Sequence, residues 1–230
     1  MKAFALLAST VALATGAVVV LTPGQLIGTA QAAEGMSIPA SAAKASESGL
    51  KTAVLAGGCF WGLEAVFEHV NGVKKVVSGY AGGSQSTASY DRVGRGDTGH
   101  AESIRITYDP STIRYDQLLR IFFSVAHDPT QVGGQVPDRG SEYRSLIVPQ
   151  NKEQLRVTQA YIAQLNKART FGKPIATEVT TGKPFYLAED YHQNFAKKNP
   201  NHPYITRWDA PKVAALKRIW PGVYSSSPAA

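Results

Sequence analysis

The sequence contains a single cysteine, Cys59, among its 230 residues. One cysteine forms no internal disulfide and cannot supply a structural zinc site. The five histidines show no metal-ligand spacing, and no P-loop or dinucleotide-binding glycine pattern is present. We therefore predict no metal site and no bound cofactor.

Runs of positive charge are also lacking, although the formal net charge is +7. No more than two lysines or arginines are adjacent anywhere in the chain. Dispersed basic charge is typical of a solvated surface, whereas nucleic-acid binding needs a concentrated basic face. We expect no nucleic-acid partner and a monomeric protein.

One long apolar run does occur, at the start of the chain. It extends from Ala3 to Leu21 after Lys2, and a small-residue site at Ala30-Gln31-Ala32 follows. This arrangement predicts a secretory signal peptide over residues 1–32, with export to the periplasm or outside the cell. The run approaches the length of a membrane span, so an uncleaved membrane anchor is the alternative.

The rest of the chain divides by composition into three parts. Residues 33–50 are rich in Ala, Ser and Gly and have little apolar periodicity, which predicts a flexible linker. Residues 51–222 are long enough for one core and form the predicted catalytic domain. Residues 223–230 are a tail.

Strand and helix patterns alternate in this domain without a regular repeat. The order favours an α/β or α+β sandwich with helices packed on a mixed sheet. Two long loops, 81–99 and 127–142, interrupt the pattern and indicate function. The predicted strands are Thr52–Ala56, Val73–Tyr80, Ser103–Tyr108, Tyr143–Val148 and a pair at 175–180 and 184–187; the predicted helices follow Cys59 and span Tyr115–Ala126, Asn151–Ala168, Ala188–Lys197 and Pro211–Arg218.

The local sequence around Cys59 favours a reactive sulfur over an inert buried thiol. Gly57 and Gly58 allow a tight turn, and the helical pattern begins directly after them. A helix N-terminus stabilises a thiolate, so we expect a lowered pKa for this cysteine. Phe60 and Trp61 either form an aromatic wall for an apolar ligand or simply pack over the hydrophobic core.

Polar residues elsewhere are weaker candidates. Glu102 lies where a loop meets a strand. If the side chain is partly buried, its raised pKa suits a general acid near neutral pH; if it is exposed, it is an ordinary surface carboxylate. His100 is a possible base. Asp138 and Tyr143 belong to the second loop and its following strand, and they line either a polar pocket or a solvated surface.

Taken in order, six motifs resemble the A-type methionine sulfoxide reductases, the peptide-methionine (S)-S-oxide reductases. The resemblance covers roughly residues 52–204. The motifs are Gly58-Cys59-Phe60-Trp61-Gly62, Val77-Ser78-Gly79-Tyr80-Ala81-Gly82-Gly83, Gly99-His100-Ala101-Glu102, His127-Asp128-Pro129-Thr130, Tyr143-Arg144-Ser145 and Ala188-Glu189-Asp190-Tyr191-His192-Gln193.

The resemblance implies an α/β sandwich with a ferredoxin-like core and a reaction at sulfur. Cys59 is implied as the nucleophile and Glu102 as the acid that protonates the sulfoxide oxygen. The substrates implied are free methionine-S-sulfoxide and oxidised proteins. Methionine leaves, and the cysteine becomes a sulfenic acid.

The same resemblance implies the substrate-binding residues. Phe60 and Trp61 hold the methyl group of the sulfoxide. Tyr90 and Tyr143 hydrogen-bond its oxygen, and Asp138 supports the pocket.

Two departures from the family pattern matter. Many members carry further cysteines near the C-terminus that resolve the sulfenic acid, and residues 199–204 contain none. A one-cysteine form needs an external thiol reductant, which is a thioredoxin-like protein, a glutaredoxin-like protein or a small thiol. Glu142 stands where the family usually has Gln, and Tyr204 aligns only loosely with a family tyrosine.

Two other functions fit parts of the pattern. A thiol hydrolase of the Cys–His type needs a histidine directed at Cys59. A non-catalytic thiol or peptide-binding module needs only a reactive sulfur.

Overall fold

The computed structural model describes residues 35–229. The predicted signal peptide, residues 1–32, lies outside them, as do the first two residues of the predicted linker. Among the described residues, no helix combines the length and apolar character that crossing a membrane requires.

The framework is a six-stranded sheet with the order β7-β6-β1-β3-β2-β8. Its neighbours are antiparallel except β6 and β7, which are parallel, so the sheet is mixed. A separate two-stranded sheet joins β4 and β5. The strands are β1 Lys51–Ala56, β2 Val73–Ala81, β3 Ala101–Tyr108, β4 Gly134–Gln135, β5 Asp138–Arg139, β6 Leu146–Val148, β7 Glu178–Val179 and β8 Phe185–Leu187.

Helices pack against the sheet and enclose the main hydrophobic core. They bury large side chains such as Phe67, Phe122 and Tyr161 against sheet residues such as Leu55 and Ile106. The helices are α1 Phe60–Glu68, α2 Tyr90–Val93, α3 Tyr115–Ile121, α4 Lys152–Lys167, α5 Phe195–Lys198 and α6 Ala210–Ile219; π-helical turns at Phe122–Ala126 and Ile205–Asp209 adjoin α3 and α6. The predicted fold class, helices on a mixed sheet, is confirmed.

The turn between β1 and α1 sets the position of the cysteine. Gly58 has a φ of +91°, a conformation that favours glycine. A Cβ there would lie 2.8 Å from the Gln135 side chain, and the Gly58 N–H donates to the Tyr143 carbonyl at 3.2 Å. The chain therefore turns tightly, and Cys59 becomes the N-cap residue of α1.

The strand pair predicted at 175–187 is wrong. β7 pairs with β6 and β8 pairs with β2, so the two strands lie on opposite edges of the sheet. An apolar pattern identifies a short strand but does not specify the strand with which it pairs in the sheet. The predicted helix at 188–197 is also largely wrong, because only Phe195–Lys198 is helical.

The segment before β1 contains no helix or strand, yet it lies against the domain. Ile38 is only 2% exposed. Arg120 donates to the Ile38 carbonyl at 2.8 Å, and the Tyr161 hydroxyl donates to the Pro39 carbonyl at 2.6 Å. Residues 35–50 therefore differ from the free linker that composition predicts, because a few apolar side chains and carbonyls dock on α3 and α4.

Candidate active site

A cavity of about 200 Å³ opens beside the start of α1. The structure brings all seven predicted site residues together in its wall, although they come from distant parts of the sequence. The lining residues are Cys59, Phe60, Trp61, Tyr90, Glu102, Asp138, Tyr143 and Tyr204.

Cys59 is buried, and its thiol is not activated in the way that the sequence predicts. Burial raises the pKa of the thiol well above its ordinary value, and the carboxyl groups of Glu102 and Asp209 raise it further. A hydrogen bond from the Trp61 N–H acts in the opposite direction. The predicted lowering of the pKa is therefore wrong, because desolvation and two neighbouring acids outweigh the helix N-terminus.

Glu102, the second residue of β3, is 3% exposed and lies beside the sulfur. Burial raises the pKa of its carboxyl group to about 8, and Asp138 and Glu142 also raise it. Hydrogen bonds with the Phe60 N–H, at 3.1 Å, and with the Cys59 thiol lower it only partly. At neutral pH this carboxyl group therefore holds a proton that it can donate.

Trp61 forms an aromatic wall of the cavity and is held on several sides. It stacks on Phe195 with ring centroids 3.7 Å apart and meets Tyr204 edge-on at 5.9 Å. Its indole N–H donates to Nδ1 of His192 at 3.2 Å. Phe60 is fully buried beside it. These contacts fix the Trp61 ring at the cavity. They favour a role as an aromatic wall for a ligand over simple packing on the hydrophobic core.

Three tyrosines and an aspartate complete the polar side of the cavity. Burial raises the pKa of the phenols of Tyr90, Tyr143 and Tyr204, so each is a neutral hydrogen-bond donor. The Tyr204 hydroxyl donates to Oδ2 of Asp138. Sequence reasoning aligned Tyr204 only loosely, because the family signal around it is weak in this chain.

His100 does not reach the sulfur. Its Nδ1 accepts from the Gly83 N–H at 3.2 Å, and its Nε2 is 2.9 Å from the Ser84 carbonyl oxygen. These two contacts occupy both ring nitrogens and hold the ring in the loop after β2. Its role as a base is therefore not supported.

Glu142 precedes the cavity residue Tyr143 and is buried. Its carboxyl group occupies the space that a Cβ on Gly140 would take, and its Oε2 has no hydrogen-bond partner among the described residues. Its charge acts on Glu102 and raises the pKa of that carboxyl group. The residue that departs from the family pattern therefore faces the protein interior and not the solvent.

No cluster of three or more His, Cys, Asp or Glu side chains suited to a metal ion occurs within residues 35–229. The groups that the cavity offers are a thiol, a protonated carboxyl group, phenols and aromatic faces.

Comparisons with known proteins agree with this arrangement. Residues 51–222 match the family model described as peptide methionine sulfoxide reductase. The chain is 55% identical over 180 residues to peptide methionine sulfoxide reductase MsrA 2 of Mesorhizobium japonicum, covering 78% of this chain and 92% of that one. It is also 55% identical over 170 residues to MsrA 2 of Synechocystis sp., covering 74% and 79%.

Two solved structures share the fold. The reduced form of Mxr1 from Saccharomyces cerevisiae has a TM-score of 0.60 at 33% identity and covers 72% of this chain and 91% of that one. Methionine sulfoxide reductase A of Corynebacterium diphtheriae has a TM-score of 0.59 at 33% identity and covers 68% and 78%. With its single cysteine, this chain belongs to the peptide methionine sulfoxide reductase family, in a one-cysteine form.

Proposed function

We propose that this chain reduces methionine-S-sulfoxide, free or in proteins, to methionine, with Cys59 as nucleophile and Glu102 as general acid. One observation carries the proposal: the only cysteine of the chain and a buried, protonated carboxyl group share a small cavity with an aromatic wall. Sulfoxide reduction at a thiol needs a nucleophilic sulfur and a proton donor at the oxygen.

The reaction balances with the groups present. Glu102 gives its proton to the sulfoxide oxygen, and the sulfur of Cys59 attacks the sulfoxide sulfur. An S–S bond forms as the S–O bond breaks, and the oxygen takes up the thiol proton and leaves as water. A water molecule then attacks the sulfur of Cys59, the S–S bond breaks, methionine leaves, and Cys59 becomes a sulfenic acid. The proton that this water releases returns to Glu102, so the sulfoxide is reduced by two electrons and the cysteine is oxidised by two.

The polar wall suits the sulfoxide oxygen. Tyr90 and Tyr143 present neutral hydroxyl groups to the cavity and stabilise the negative charge on this oxygen before it is protonated. Asp138 accepts a hydrogen bond from Tyr204 and so orients this third hydroxyl group.

The aromatic wall suits the methyl group. Phe60 and Trp61 lie beside the sulfur on the same turn of α1, where an apolar methyl group loses contact with water. A polar wall that binds the oxygen and an aromatic wall that binds the methyl group together distinguish the two epimers of a chiral sulfoxide. We assign the S epimer, in line with the family.

Regeneration needs a thiol from outside the chain, because no second cysteine is present. One external thiol attacks the sulfenic acid and releases water, leaving a mixed disulfide. A second thiol then releases Cys59 and forms the external disulfide. A thioredoxin-like protein, a glutaredoxin-like protein or a small thiol satisfies this chemistry.

The N-terminal sequence supports a place of action outside the cytoplasm. A positive start, an apolar run and a small-residue site are typical of exported proteins, and we propose that the enzyme works there as a monomer.

Steady-state turnover with the two separated epimers tests this proposal. We expect the S epimer of methionine sulfoxide to be reduced with dithiothreitol as donor and the R epimer to be left unchanged. Reduction of neither epimer, together with ester or peptide cleavage, would indicate a thiol hydrolase. Stoichiometric labelling of Cys59 without turnover would indicate a binding module.

A further inference from the structure

A second cavity, larger than the catalytic one, lies in the described part of the chain. It has a volume of about 460 Å³ and lies at the other end of α1. The second half of α1, the helix α6, the stretch 196–205 and the C-terminal tail enclose it, and it shares no lining residue with the catalytic cavity. Its volume is within the range of small-molecule sites, about 300–1,000 Å³.

Most of the wall of this cavity is apolar. Ala65, Ile205 and Val213 contribute aliphatic surface, and Tyr224 contributes an aromatic ring. This ring is fixed by stacking on His69, with ring centroids 5.7 Å apart. The tail is held by its backbone as well, because the Ala229 N–H donates to the Glu68 carbonyl at 2.8 Å. The cavity is therefore built by ordered elements.

An acidic group interrupts this apolar wall. Glu68 belongs to the cavity wall, is 2% exposed, and its Oε1 has no hydrogen-bond partner among the described residues. Glu64 lies one turn earlier on α1 and also has an unpartnered Oε1. A third carboxyl group, that of Asp209, lines the cavity and has an unpartnered Oδ2 besides its contact with Lys212.

Lys197 and Lys217 also line the cavity, but Glu64 and Glu68 form no ion pair within residues 35–229, whereas Asp209 is paired with Lys212. Burial and the charge of Glu64 raise the pKa of Glu68 to about 7, and Lys197 lowers it only partly. A buried acceptor without a donor is unfavourable for the folded protein. The missing partner of each of these oxygens is a hydrogen-bond donor or a cation, and the sulfoxide chemistry uses neither Glu64 nor Glu68.

We propose that this cavity binds a small apolar amine, with its ammonium group on the Glu68 carboxylate and its apolar body against Val213, Ile205 and Tyr224. The ammonium group supplies the hydrogen-bond donor that Oε1 of Glu68 lacks among the described residues. The apolar body matches the remaining surface. The site is separate from the catalytic cavity, so this proposal stands whether or not the chain reduces sulfoxides.

Binding of 2-phenylethylamine to the full chain at about pH 8, where most of Glu68 is ionised, tests the proposal. The matched probes are 2-phenylethanol and 3-phenylpropionate, which keep the aromatic body and change the head group. We expect saturable binding of the amine, with at least roughly tenfold weaker binding of the alcohol, the loss typical of a charged hydrogen bond. The amide resonances of the second half of α1 and of α6 should shift.

Variants locate the site. Glu68→Gln keeps the shape of the side chain and should remove the preference for amine over alcohol, whereas Asp97→Asn, at an exposed carboxylate, should not. Ala214→Phe, at an exposed helix position in the cavity wall, should weaken all three probes. Alkylation of Cys59 blocks the catalytic cavity and should leave amine binding unchanged.

Three results would overturn the proposal. They are equal binding of amine and alcohol, unchanged preference in Glu68→Gln, and loss of binding on alkylation of Cys59. If a variant fails to fold, the wild-type comparison of the three probes and the map of shifted resonances still decide between the two cavities.

Discussion

At the scale of single residues, the chemistry depends on two neutral acids held side by side. Cys59 and Glu102 are both buried, and burial raises the pKa of each; the charge of Glu102 raises that of Cys59 further, whereas the hydrogen bond with the thiol lowers that of Glu102 only partly. A permanently ionised thiolate is therefore not the resting form. The sulfur becomes nucleophilic as its proton leaves, and the proton of Glu102 is ready for the sulfoxide oxygen.

The first prediction concerns the ionisation of Cys59. Alkylation by iodoacetamide should keep rising from about pH 7 to beyond about pH 9, because only the thiolate reacts and the pKa is well above the ordinary value. Glu102→Gln should shift this curve to lower pH, since the neutral amide no longer repels the thiolate. A plateau below about pH 8 in the wild type would contradict the raised pKa.

The second prediction concerns Glu142. Its carboxylate repels the carboxylate of Glu102, so Glu142→Gln should lower the pKa of Glu102 from about 8. Carboxyl ¹³C titration in a Cys59→Ser background measures this pKa without the coupled thiol. Glu178→Gln, which changes a 59% exposed carboxyl group, is the matched control. The same midpoint in Glu142→Gln and in the control would show that Glu142 does not act on Glu102.

At the scale of elements, the segment after β8 connects the sheet edge to the start of α2, where Tyr90 lies. The Gln193 side chain accepts from the Ser78 N–H at 2.9 Å and donates to the Ser78 carbonyl at 3.0 Å, as a neighbouring strand would. Glu189 accepts from the Tyr80 hydroxyl at 2.8 Å and from the Tyr90 N–H at 3.0 Å. Side chains thus hold the start of α2, which carries Tyr90.

Gln193→Ala should destabilise the protein. The change leaves the Ser78 N–H without its partner at a buried position, which costs about 1–3 kcal/mol. Urea unfolding measures the loss, and Gln85→Ala, at an exposed position, is the control. An unfolding free energy equal to that of the control would show that these hydrogen bonds contribute nothing.

The sequence predicts the elements better than their partners. Periodicity identifies α1, β3 and α4 within a few residues, because each has a clear apolar pattern and a turn or cap at its end. β7 and β8 are short, with two and three residues, and their pairing depends on the curvature of the whole sheet.

The same limit applies to the site. Cys59 and Glu102 are identified from motifs, and their proximity follows from the family resemblance. The contacts of His192 and Phe195 with Trp61 were missed, since a lone histidine or phenylalanine in a turn-rich stretch gives no local signal. The raised thiol pKa was missed because burial is a property of the folded chain.

At the scale of the whole molecule, the catalytic cavity and the segment before β1 are separate. None of the residues 35–50 lines the cavity, yet Ile38 and Ala45 are buried against the domain. The segment therefore contributes to stability and not to the chemistry.

A chain that starts at Glu47 should unfold more easily than one that starts at Gly35. Exposing the surface that Ile38 covers costs about 2 kcal/mol. Turnover of methionine sulfoxide well below the unfolding temperature should be unchanged. Thermal unfolding of the two chains makes the comparison, and identical midpoints would mean that the segment does not stabilise the domain.

The pairing of Cys59 with Glu102 is tested most directly by a single turnover without reductant. Wild-type protein mixed with excess methionine-S-sulfoxide should form one methionine per chain and a sulfenic acid on Cys59, trapped by dimedone and located by mass spectrometry. Glu102→Gln should slow this step about 10²–10⁴-fold, the range of general acid catalysis, and Cys59→Ser should form no methionine. An unchanged rate in Glu102→Gln, or methionine formation by Cys59→Ser, would contradict the account.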